Sequence, residues 1–250
     1  MKVLNFWNVK GGVGKSSLCF LTGEILRSSG KKILFIDADP QRSITKTILE
    51  HPPGHNTFFD VLMRSKEISE CMYQEKGFSI VPAHIDLLKI QSGIEENRLL
   101  SAFANYKGNF DYVLIDNQPT WNSIVRTTIN ACDRLIIPSM ISIFDLDEVN
   151  FSINEARMMR KNLPVSIILN AVNSSEKISN DEREYIDSFL DTFKNDVARA
   201  KIPRSVILKR IIDRGDNLCG KGATKEKFRS ALLNMVQEIT LSKISLKEVA

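Results

Sequence analysis

Several things are scarce in this 250-residue chain, and each scarcity closes off a class of protein. There are four cysteines, Cys19, Cys71, Cys132 and Cys219, and none stands in a Cys-x-x-Cys pair. A small disulfide-framed fold is excluded on that count, and buried reduced thiols are expected. No stretch approaches the roughly 20 apolar residues that a membrane span needs. The start, Met1-Lys2-Val3-Leu4-Asn5-Phe6-Trp7, runs directly into Gly-rich sequence and does not read as a signal peptide. A cytoplasmic protein is therefore expected. Internal repeats, low-complexity tracts and Pro/Gly-rich linkers are missing too, so residues 1–250 are expected to form one domain, with 241–250 as a frayed tail. Nor is one charge sign in large excess. Lys plus Arg number 34 against 30 for Asp plus Glu, a net charge of +4. That balance permits contact with an acidic polymer without requiring it.

What the chain does have is a regular alternation. Short, nearly continuous apolar runs mark strands at Val3–Val9, Lys32–Asp37, Phe78–Pro82, Tyr112–Asp116, Arg134–Pro138 and Val165–Asn170. Strands of that kind have both faces buried, as in a parallel sheet covered by helices. Between them fall helical patterns at Ser16–Ser29, Thr57–Arg64, Asn122–Cys132, Asp145–Asn162, Asp181–Lys194 and Glu226–Leu241. His51-Pro52-Pro53-Gly54-His55 reads as a surface loop. The rhythm predicts an α/β fold, doubly wound, with a mostly parallel sheet flanked by helices.

The sharpest motif is Lys10-Gly11-Gly12-Val13-Gly14-Lys15-Ser16-Ser17, between the first strand and the first helix. Strand, Gly-rich turn and helix are the setting of a phosphate-binding loop. Gly11, Gly12 and Gly14 let backbone N–H groups of the 11–17 stretch, Val13 and Ser17 included, turn toward phosphate oxygens. The helix start adds free N–H donors and a positive dipole end. Lys15 is expected to reach the β- and γ-phosphates, and the Ser16 hydroxyl to ligate Mg²⁺. The strict G-x-x-x-x-G-K-[ST] spacing fails, because Val9 stands where its first glycine would be. Two further signals lie at strand ends. Ile36-Asp37-Ala38-Asp39-Pro40-Gln41 places two carboxylates beside the loop, on one side of the strand. The run Tyr112-Val113-Leu114-Ile115-Asp116 is a Walker B pattern, whose Asp116 would hold Mg²⁺ through water.

The K-G-G-x-G-K-[ST] loop, with Lys10 ahead of the glycines, resembles the deviant Walker A motif of the ParA/MinD family of P-loop ATPases. The resemblance extends through the D-x-D-P-Q segment and Ala131–Pro138, lapses over Ser139–Asp145, and returns at Lys201-Ile202-Pro203-Arg204. It implies ATP and ADP as ligands, with Lys10 reaching across a dimer to the partner's nucleotide. It further implies Asp37 in the Mg²⁺ shell, Asp39 orienting the attacking water, and Asn170 and Pro203 beside adenine. The family usually carries D-x-P-P after its third strand, whereas this chain has Asp116-Asn117-Gln118-Pro119. The chain resembles the short form without a DNA-binding extension before the loop. Such proteins are ATP-dependent homodimers that bind DNA non-specifically, with slow hydrolysis stimulated by a ParB-like adaptor, in plasmid or chromosome partition on the nucleoid. Residues 199–229 carry ten basic against three acidic residues. Such a stripe neutralises phosphates without reading bases. The candidates within it are Arg204, Lys209, Arg210, Arg214, Lys221, Lys225 and Lys227. Two other readings share the scaffold. A MinD-like membrane-cycling ATPase needs a basic amphipathic C-terminal helix, but the chain ends weakly basic, and no stable membrane association is expected. A metabolic synthetase needs a dedicated substrate pocket, for which no motif is seen.

Overall fold

The computed structural model describes residues 1–90, 93–106, 108–140, 145–172, 179–205 and 223–244, except for the side chains of residues 182, 223 and 224. Seven strands form one sheet: β1 Lys2–Phe6, β2 Ile33–Ala38, β3 Tyr73–Glu75, β4 Phe78–Val81, β5 Tyr112–Asn117, β6 Arg134–Met140 and β7 Val165–Asn170. Their order is β3-β4-β2-β5-β1-β6-β7. All pairings are parallel except β3 with β4. The expected α/β architecture is thus the observed one, and β2, β4, β5 and β7 are buried along their whole length.

Helices cover both faces: α1 Lys15–Ser28, α2 Ser43–Ile48, α3 Phe58–Leu62, α4 Arg98–Asn105, α5 Ser123–Asn130, α6 Asp145–Met159, α7 Asn180–Phe193 and α8 Ala223–Thr240. One apolar layer lies between the sheet and α1, α2 and α8. The other lies between the sheet and α3 through α7. The alternation of strand side chains sets the division: Leu4, Phe6 and Leu114 enter the α1 layer, while Val3, Trp7, Val113 and Ile115 enter the opposite one. Cys19, Cys71 and Cys132 are free and buried; Cys219 lies outside the described residues.

Three elements go beyond the sequence reading. The strand β3 forms a hairpin with β4 through Lys76 and Gly77, both at positive φ (51° and 77°), as a two-residue turn requires. The short α2 is held from outside, because Asp37 accepts hydrogen bonds from the Thr45 N–H (2.8 Å) and hydroxyl (2.7 Å). The helix α4 packs Leu99, Ala102 and Phe103 into the core. The first strand ends at Phe6 rather than Val9, because the chain turns there into the Gly-rich loop. Elsewhere helix ends differ from expectation by a few residues, as in α6, which stops at Met159 rather than Asn162.

The outer edge of β7 is sealed by residues 196–204. Ile167 N–H donates to the Asp196 carbonyl (2.7 Å), Ala198 N–H to Ile167 (2.9 Å), and Ile202 N–H to Leu169 (2.9 Å). Val172 N–H then donates to Ile202 (2.9 Å) and Arg204 N–H to Val172 (3.0 Å). The order of the sheet also reverses at β1, which lies between β5 and β6. Open α/β sheets bind ligands at such a point, outside the carboxyl ends of the strands. The Gly-rich loop begins there.

Candidate phosphate-binding site

The loop leaves β1 and enters α1 at Lys15. Gly12 (φ 77°) and Gly14 (φ 95°) adopt the left-handed region, which a residue with a Cβ rarely enters. Gly14 is further restricted, because a Cβ there would lie 2.3 Å from Asn170 Nδ2. That amide donates to the Val13 carbonyl (2.9 Å), so β7 braces the loop from beneath. No side chain caps the start of α1. The loop's leading edge is held by Asn8, whose side chain accepts from Lys10 N–H (3.0 Å) and donates to the Pro138 carbonyl (2.8 Å). Ser152 on α6 accepts from Val9 N–H (3.2 Å). A cleft of about 450 Å³ opens above the loop, lined by the loop itself, Phe20, Asp39, Gln41, Thr47 and Pro119. Gly14→Ala should therefore misplace the loop: strain and overlap cost about 2 kcal/mol. In a thermal melt we expect a loss of about 5 °C, with nucleotide uptake lost in calorimetry.

Three carboxylates stand at the strand ends next to the loop. Asp37 and Asp116 are register partners on β2 and β5, and both are fully buried. Burial pushes the Asp37 carboxyl up to about 6, against its hydrogen bonds from Thr45 and from Asp39 N–H (3.1 Å). Its oxygens are thus engaged with backbone and side chain at the start of α2. Asp116 is held well above the usual carboxylate range, first by burial and then by the charge of Asp37, with Ser16 and Lys15 pulling the other way. Neither Asp116 oxygen accepts a well-formed hydrogen bond, although Ser16 stands close by. A buried carboxylate without a partner is costly unless a cation completes it. This donor set fits a hard divalent ion: one orphaned carboxylate, one adjacent hydroxyl, and oxygen ligands throughout. Asp39 accepts from Gln41 N–H (2.8 Å), which folds 39–42 into a tight turn at the cleft wall.

Lys15 is buried and donates to the Lys10 carbonyl (2.7 Å). Burial lowers its pKa, and Asp116 and Asp39 act against that shift. The Lys10 ammonium pairs with Asp145 at the head of α6 (2.8 Å); their side chains are 27% and 1% exposed. Asn170 is the last residue of β7, and Pro203 bridges Val172 two residues further on. Of the basic stripe, Arg204 and Lys227 are exposed and Lys225 is half-buried; Lys209, Arg210, Arg214 and Lys221 lie outside the described residues. The structure thus brings Gly11, Gly12, Gly14, Lys15, Ser16, Ser17, Asp39 and Pro119 to one cleft, with Asp37 and Asp116 at the neighbouring strand ends, whereas Lys10, Asn170 and Pro203 do not line it. Asn8, Ser152, Asp145 and Thr45 were not found from sequence, and no local pattern marks them.

Similarity to known proteins agrees with this geometry. The sequence profile of AAA_31, described as an AAA domain, matches residues 1–169. The chain is 25% identical over 224 residues to the sporulation initiation inhibitor protein Soj of Bacillus subtilis, covering 86% of this chain and 88% of Soj. It is 28% identical over 225 residues to the chromosome partitioning protein ParA of Caulobacter vibrioides, covering 82% of each. Its fold superposes on that of Cyanothece McdA, solved as an ATP complex of a D38A variant, with a TM-score of 0.83, 22% identity and 99% of each chain covered. The chain belongs to the AAA_31 family of AAA domains, and Soj and ParA are its homologues.

Proposed function

We propose that this chain is an ATP-binding and ATP-hydrolysing ATPase of the ParA type, acting in plasmid or chromosome partition. The observation that carries the reading is Asp116: a fully buried carboxylate that accepts no well-formed hydrogen bond, beside Ser16 and Lys15 at the foot of a Gly-rich turn. The McdA structure with ATP supports a triphosphate in the same fold. ParA and Soj, matched over most of their length, support partition as the process.

In this reading the backbone of residues 11–17 cradles the phosphates. Lys15, already aimed at the loop, neutralises the β- and γ-phosphates. Ser16 and, through water, Asp116 hold Mg²⁺, which supplies charge neutralisation across the phosphate oxygens when bound. Asp37 supports that shell by fixing the start of α2. Asp39 orients the attacking water from the cleft wall. The ring of Pro203 packs on adenine, and Asn170, whose Nδ2 is held by the Val13 carbonyl, offers its Oδ1 to the base edge. Catalysis rests on positioning and charge compensation, so turnover without a partner is slow.

Residues 1–250 form one unit. Lys10 serves the nucleotide of a second copy, making ATP the bond in a homodimer. That dimer presents Arg204, Lys225 and Lys227, together with Lys209, Arg210, Arg214 and Lys221, to DNA of any sequence. A ParB-like adaptor then stimulates hydrolysis on the nucleoid. Asp39→Ala should trap the ATP-bound dimer, visible by sedimentation. The trapped form should bind a random-sequence duplex with an affinity that falls steeply between about 50 and 200 mM salt. Calorimetry showing no uptake of ATP or ADP by folded protein would sink the entire reading. An Asp39→Ala protein that stays monomeric with ATP removes the dimer, and one that dimerises yet ignores DNA removes the DNA step.

A further inference from the structure

The stretch that follows Asp116 is tied to Asn5 of β1, to Thr128 of α5 and to Trp7 just past the end of β1. Asn117 Nδ2 donates to Asn5 Oδ1, and Asn117 Oδ1 accepts from the Thr128 hydroxyl of α5 (3.0 Å), a proton shared with the Val125 carbonyl (2.8 Å). Trp7 Nε1 donates to the Thr120 carbonyl (3.0 Å). The rings of Trp7 and Trp121 lie 5.2 Å apart, inclined by 38°. Asn5, Trp7 and Asn117 are all fully buried. Asn5 in β1 and Trp7 just past its end, two residues apart, lie on the side of the sheet away from α1.

These contacts bear on the departure at Asn117-Gln118. In place of a second proline, 117–121 is fastened by a buried amide pair and an indole N–H. Buried polar groups lose much if unpaired, so such contacts fix a position sharply. Trp7 is also three residues ahead of Lys10. The Pro119 ring stands beside Gly11, 3.9 Å from where a Cβ on that glycine would sit. A change in the loop when the third phosphate seats has a direct mechanical route: Val9, Trp7, then the Thr120 main chain.

We propose that Trp7 is a positioning residue for residues 117–121: it sets their place relative to the phosphate loop and so governs the hydrolytic step rather than nucleotide uptake. This rests on the nucleotide reading above. Trp7 acts through Thr120 and Trp121. The chain's two tryptophans are this pair, so intrinsic fluorescence reads the contact directly.

The test compares the full chain with Trp7→Phe, which keeps an aromatic ring and removes the N–H. Calorimetry should give ATP affinities within about twofold of each other, under 0.5 kcal/mol. Phosphate release at saturating ATP should fall about tenfold or more, with KM little changed. Unmodified protein should show different tryptophan emission with Mg-ATP and Mg-ADP, and the remaining Trp121 of the variant should lose that distinction. Thr128→Val, which cuts the Asn117 contact while keeping shape, is the second variant should Trp7→Phe not fold; the same split is expected. Retained turnover overturns the proposal. So does a parallel fall in affinity, turnover and melting temperature, the mark of a purely structural role. If the unmodified chain takes up no nucleotide, the nucleotide reading itself has failed; uptake with unaltered turnover in the variants sinks the positioning role alone.

Discussion

Lys15→Ala should leave a folded protein that no longer takes up ATP in a calorimeter. The side chain is buried and its ammonium already touches the loop backbone at the Lys10 carbonyl, 2.7 Å away. Nothing needs to move far for it to meet a phosphate. Burial works against its charge, and the carboxylates of Asp116 and Asp39 work for it. A triphosphate in the cleft would otherwise face those same carboxylates. Removing the cation strips away its charge-assisted hydrogen bonds and leaves like charges opposed. The loss is about 3 kcal/mol or more, a hundredfold in Kd at least. Uptake by the alanine variant within tenfold of the unmodified chain would mean that phosphate is not held at this lysine.

The second large effect concerns Lys10, which cannot be in two places. Here its ammonium pairs with Asp145, a carboxylate only 1% exposed. The dimer reading has it reach a phosphate in another copy. Separating a pair with one partner this deeply buried costs about 3–5 kcal/mol. Closure therefore has to outweigh the cis pair. Asp145→Asn should lower the ATP concentration for half-maximal dimerisation by about fivefold or more in the Asp39→Ala background. Lys10→Ala should do the opposite: no dimer at any ATP concentration, and a lowered melting temperature from the lost ion pair. Adding Asp145→Asn to Lys10→Ala should restore the melting temperature and not the dimer. Sedimentation that finds Lys10→Ala dimerising like the parent would place this lysine outside the interface.

How far the sequence could be read follows from where the determining contacts lie. Strands β2, β5 and β7 announce themselves because both faces are covered, so each run is apolar, Ser166 aside, until the carboxyl end. Asp116 and the Asp37–Asp39 pair were legible for that reason: a charge that ends an apolar run stands out. The Gly-rich loop was legible because its conformation is paid for locally, by residues able to hold positive φ. By contrast, α2 is rich in β-branched residues and has weak helical preference of its own. It forms because Asp37 reaches it. The three-residue β3 is too short for a period, although Lys76-Gly77 marks its turn. Asn8 and Ser152 lie 144 residues apart in the chain. The ion pair of Lys10 ends at Asp145, in the stretch where the family resemblance lapses. Such partners are chosen by the packing of α6 on the sheet, and no window of sequence contains both ends.

The strip of chain at 196–204 that zips onto β7 has a consequence for how copies can meet. An uncovered final strand offers a row of donors and acceptors to any neighbour, and proteins that touch one another repeatedly run the risk of stacking into fibres. On this side that row is consumed internally, and at the far side of the sheet the last strand spans only three residues, Tyr73–Glu75. Lateral growth by adding strands is discouraged at both borders. The proposed dimer accordingly uses the rim where the strands end and the glycines turn, a surface that a small ligand would close and reopen.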